Sequence, residues 1–141
     1  MGALEYFRSA LKKVHENYRE AVKDLTPEQL HFRPLEKGNS IAFVLWHMVR
    51  TEDTVINFAW QKKPPVWNAE GWDKKFGMDP KAQGTGMTAE QAAAVRISDL
   101  AEFRKYMEKV FAATEAFVDS TAEPAWTNRF SSKFRLNERM S

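Results

Sequence analysis

Apolar residues recur at alternating steps of three and four from Leu4 through Phe7, Leu11, Val14, Tyr18 and Ala21 to Leu25. This spacing draws one stripe down a helix and predicts a helix over residues 3–25, about 30 Å long. A second pattern opens with the cap-forming pair Asn39-Ser40, carries Ile41, Val44, Met48, Val55 and Phe58, and closes at Pro64-Pro65. It predicts a helix over 40–61. Phe43, Leu45, Trp46 and Val49 fill the faces that a surface helix leaves polar, which places the first half of this helix in the middle of a packed bundle.

Thr88-Ala89-Glu90-Gln91 has the form of a capping box and opens a short helix over 88–95. Ser98-Asp99 then restarts the chain into a long helix over 98–119, with a stripe of Leu100, Phe103, Met107, Val110, Thr114 and Phe117. Thr26-Pro27-Glu28-Gln29 is a further helix start, which Pro34 closes into a connector. Three long stripes close a core only if all point to one axis, and a fourth helix is the commoner solution.

Two stretches lack a period. Residues 62–87 hold turn formers between the anchors Trp67, Trp72 and Phe76, and read either as a packed loop over one end of the bundle or as a lid on a small-molecule pocket. Residues 125–141 form a basic tail, with Arg129, Lys133, Arg135 and Arg139, that reads as irregular.

Composition narrows the classes. The 141 residues make one domain, 1–141, and 43% hydrophobic residues are enough to fill its core. A net charge of +2 from 21 basic and 19 acidic residues describes a mixed surface, with no electrostatic case for nucleic acid. The N-terminus has no long apolar segment and no run is long enough for a membrane span, so a cytoplasmic protein without a membrane partner is expected. The absence of cysteine removes disulfides and thiolate ligands, leaving histidine and carboxylates as candidate ligands.

There are three histidines, all before residue 48. His15 falls just off the first stripe among charged neighbours and reads as a solvated helix-face residue. His31 lies in the connector and reads as a capping or packing group. His47 sits in the apolar half of the second helix, one turn from Val44 on one side and from Thr51 on the other, so its imidazole either points into the core or lies along the core's edge.

The segment LTPEQLHFRPLEKGNSIAFVLWHMVRTEDTVINFAW, the VWNAEGWDKKFGMDP loop with its GTGMT sequel, and the Arg96-Ile97-Ser98-Asp99-Leu100 restart together resemble the DinB-like four-helix bundles. That family includes metal-dependent mycothiol and bacillithiol transferases. The resemblance implies an all-α, up-down-down-up bundle, usually dimeric. It implies a divalent metal, zinc or nickel, on one histidine of the second helix and a His-x-x-x-His pair of the fourth. His47 matches the first ligand, and Glu52 matches an acidic position in the same helix that touches the metal or caps a neighbouring group. No histidine follows residue 48, so the fourth helix is expected to be missing or supplied by another chain, and Asn137–Ser141 reads as the lead-in to it.

A single imidazole grips a divalent ion weakly, and Glu52 and Asp53 point away from His47 at 100° per residue. One expectation is therefore a DinB-like metal-binding protein related to thiol S-transferases, taking a small thiol or electrophile through a site that is incomplete in this chain. The alternative is a metal-free interaction or scaffold module acting as a homodimer.

Overall fold

The computed structural model describes residues 2–121. The expected tail over 125–141 lies outside them.

α1 (Ala3–Val22) is the first striped segment, stopping three residues short of its expected end at residue 25. The connector forms α2 (Pro27–His31), opened by a complete capping box: Thr26 accepts from the Gln29 amide, and the Gln29 side chain accepts from the Thr26 amide. α3 (Ile41–Asp53) is capped by Ser40, whose hydroxyl accepts from the Phe43 amide. It passes without a break into a π-helical segment, Thr54–Trp60. The stretch over 62–87 contains two single turns, α4 (Val66–Ala69) and α5 (Trp72–Lys75). A second capping box, Thr88 with Gln91, starts α6 (Ala89–Ala94), and Asp99 caps α7 (Leu100–Ser120). The described residues contain no strand, and no described helix is long and apolar enough to cross a membrane.

α7 is the central helix. α1 and α3 both pack on it while making little contact with each other. Phe103, Tyr106, Met107, Val110 and Phe111 of α7 are buried against Leu45, Trp46 and Val49 of α3 and against Trp67. The loop folds onto this core through the anchors expected of it: Trp67 and Trp72 are buried, and Phe76 stacks on Trp67 at a ring separation of 6.1 Å.

A buried carboxylate ties the loop to the bundle. Asp53, at 0% exposure, accepts from the Val66 amide (2.8 Å), the Trp67 amide (2.9 Å), the Asn57 side chain (2.8 Å) and the Tyr106 hydroxyl (2.8 Å). Buried Arg50 stands 3.8 Å away, lies over the Trp67 ring and donates to the Ala82 carbonyl. Burial, and then the charge of Asp53, raise the Tyr106 pKa well above its usual value, so the phenol keeps the proton it donates.

The position of α3 differs from expectation. One side of it is buried, but Ile41, Val44 and Met48, which share the opposite face at helical spacing, are each about 45% exposed. For Met48 the reason is the separation of α1 from α3. Between them lies a groove with a cavity of about 280 Å³, lined by Val14, Tyr18, Met48, Glu52 and Val55, with Phe111 among its walls.

Candidate functional site

His47 lies on α3 one turn after Phe43, whose ring stacks on it at 5.7 Å. Its Nδ1 faces the Gln83 carbonyl at 2.5 Å, an acceptor, so Nδ1 carries the hydrogen. The next residue, Gly84, has φ +107°, and a Cβ there would sit 2.5 Å from Nδ1. Only glycine permits this approach. Arg50 holds the Ala82 carbonyl just before, and the Thr85 hydroxyl donates to the Gln83 side chain just after. The segment 82–85 is thus clamped onto the imidazole. Nε2 makes no hydrogen bond among the described residues, and the residue is partly exposed.

The other two histidines engage both ring nitrogens. His31 Nε2 accepts from the Ile97 amide (3.0 Å), so its Nδ1 donates to the Pro27 carbonyl (2.8 Å), locking α2 to the segment before α7. His15 is the correction to the sequence reading. It is not solvated but 0% exposed, stacked on Phe111 at 3.8 Å. Its Nε2 lies 3.1 Å from Glu52 Oε1, and its Nδ1 lies 3.1 Å from Glu115 Oε1. Both partners are acceptors, so the doubly protonated ring fits between them. Burial pulls the His15 pKa down, but hydrogen bonds and charge from Glu52 and Glu115 outweigh it and the net shift is upward. The Thr114 hydroxyl donates to Glu52 Oε2 (2.8 Å), and the Tyr18 pKa is raised, first by burial and then by the Glu52 charge.

A family description, the DinB superfamily, matches residues 10–140. The chain belongs to the DinB superfamily. The DinB chain is also similar in fold to a solved structure, the conserved protein of locus from Enterococcus faecalis. The TM-score is 0.77 at 23% identity, covering 88% of this chain and 74% of that one. No curated protein matches it.

The resemblance implies His47 as a metal ligand and Glu52 as an acidic position that touches the metal or caps a neighbouring group, and the 100° step per residue already turns Glu52 away from His47. Glu52 turns to His15 and Thr114 across the groove and makes no hydrogen bond to His47. Among the described residues no group of three or more His, Asp or Glu side chains could hold a metal ion. His47 suits one ligand position, but the described residues do not make a metal site.

Sequence reasoning missed the His15, Glu52 and Glu115 cluster and the Arg50–Asp53 staple. A signal for the first was present. Leu4, Arg8, Leu11, His15, Tyr18, Val22 and Leu25 repeat with the same four-three rhythm as the stripe chosen, and His15 and Val22 on it are the buried residues of α1. Val14, on the stripe chosen, is 47% exposed.

Proposed function

We propose that this DinB-superfamily chain is a metal-binding bundle in which His47, through Nε2, supplies one ligand to a divalent ion such as zinc or nickel. The supporting observation is the clamp on its other nitrogen. Metal-ligating histidines almost always donate their second N–H to a carbonyl or carboxylate, which fixes the tautomer and aims the remaining lone pair. Of the three histidines, His47 alone has a ring nitrogen without a hydrogen bond among the described residues. One imidazole holds such an ion weakly, so the other ligands come from outside the described residues or from a second copy. No catalytic step is assigned to the described residues. Thiol-transferase or hydrolase activity is proposed only for an assembly that completes the set. Titration with cobalt(II), read by its visible spectrum, tests the reading. His47→Ala should abolish binding while His31→Gln retains it, and binding unchanged in His47→Ala would sink the proposal.

A second reading, a metal-free interaction module, has its own observation: the open groove between α1 and α3, lined by exposed Val14 and Met48. Here a second chain closes the bundle, as in the homodimer expected from sequence. Sedimentation equilibrium decides it. A species of twice the chain mass that Met48→Asp reduces to one chain supports the homodimer, and a single chain for both proteins rejects it.

A further inference from the structure

α1 is joined to the rest of the bundle by charge more than by packing. Of its 20 residues only His15 and Val22 are buried, and it makes little contact with α3. Three basic residues on it meet three carboxylates of α7 in antiparallel order: Arg8 with Asp119 (3.2 Å), His15 with Glu115 (3.1 Å) and Arg19 with Glu108 (2.7 Å). The outer two pairs are partly exposed, and such pairs hold weakly. The middle one differs. His15 is fully buried, and its other nitrogen meets Glu52 of α3.

The ring fits this place only with both protons on. Each nitrogen faces a carboxylate, which can only accept, so a neutral ring sets one lone pair against an oxygen 3.1 Å away in a site closed to water. The other ionisable groups around it do not restore the balance. Tyr18 on α1 keeps its proton, because burial and then the Glu52 charge raise its pKa. Arg19 lies over the Phe111 ring on which His15 stacks, but is engaged with Glu108 and Glu16. Lys12, one turn before His15, is exposed. Burial lowers the His15 pKa, but Glu52 and then Glu115 raise it more, so the doubly protonated ring persists above the ordinary value of 6.5.

Losing that proton does not affect every helix alike. α3, α7 and the loop share the core of Leu45, Trp46, Trp67, Phe103, Tyr106 and Met107 and the contacts of Asp53, none of which lies on α1. A helix with few buried apolar contacts opens before such a core does.

We propose that α1 is a releasable helix, latched by the doubly protonated His15 and lifting from α3 and α7 when that ring becomes neutral. Val14 and Tyr18 on α1 form part of the groove wall, so release widens the groove and bares Glu52 and Phe111. Access to the groove thereby follows pH, closed in acid and open in base. The release requires neither a bound metal nor a second chain.

Amide hydrogen exchange on the whole protein, corrected for the intrinsic rate at each pH, tests this. Protection across α1 should fall by about tenfold or more relative to α7 as pH rises above about 6.5. His15→Gln, which cannot titrate, should hold that ratio constant. Glu115→Gln, at a partly exposed side chain, should move the fall to lower pH, because one of the two carboxylates that retain the proton is gone. A ratio independent of pH in the wild-type protein overturns the proposal, as does a loss of protection shared equally by α1 and α7, which is unfolding of the whole bundle. An unmoved midpoint in Glu115→Gln overturns the role of the ring as the latch.

Discussion

His15 and Glu52 join the first helix to the third: the imidazole Nε2 lies 3.1 Å from one carboxylate oxygen and 3.2 Å from the other, with His15 fully buried and Glu52 at the groove wall. The same ring reaches Glu115 of α7 through Nδ1, so one side chain connects all three long helices.

That relationship has a pH signature. The folded His15 pKa lies above its ordinary value of 6.5. Its contribution to stability is therefore fully present below about 6.5 and is lost as pH rises through the folded pKa. The urea midpoint of the wild-type protein should fall as pH rises above about 6.5, measured at constant ionic strength, more steeply than that of His15→Gln. Parallel profiles would show that the ring is not protonated in the fold.

Asp53 is the staple of the loop. Asp53→Ala leaves the Val66 and Trp67 amides, the Tyr106 hydroxyl and the Arg50 guanidinium without their shared partner. Removing one member of a buried charged pair costs about 3–5 kcal/mol. Urea unfolding should register a loss of that order, with a red shift in the emission of the freed Trp67. A loss under about 1 kcal/mol, the level of a surface substitution, would contradict the staple.

Gly84 tests the clamp on His47 without touching the ring. In Gly84→Ala the new methyl meets Nδ1 at 2.5 Å and the backbone must keep φ +107°. A destabilisation of about 1–3 kcal/mol is expected from the strained backbone conformation. The His47 ring resonances in nitrogen-15 spectra should lose the signature of a fixed Nδ1–H tautomer. If both the stability and the resonances are unchanged, the 82–85 segment does not orient the imidazole.

Much of the local architecture was legible in the residues because it is set by neighbours in sequence. Thr26 with Gln29 and Thr88 with Gln91 form capping boxes three residues apart, and Ser40 and Asp99 cap the helices that follow them. Trp67, Trp72 and Phe76 were legible as loop anchors because large aromatics between turn formers have little choice but the core. His47 stood out for its apolar setting, but the carbonyl that orients it is 36 residues away.

The sequence by itself determined an all-helical chain, the starts of its helices and its membership of a bundle family, because capping and the 3.6-residue period act within a few turns. The tertiary structure decided which face of each helix is inside. On α1 two interleaved stripes compete, and the one through His15 is buried because Glu52 and Glu115, 37 and 100 residues away, satisfy its two nitrogens. A polar side chain enters a core only where partners wait for it, and those partners become neighbours only once α1 and α3 have packed on α7.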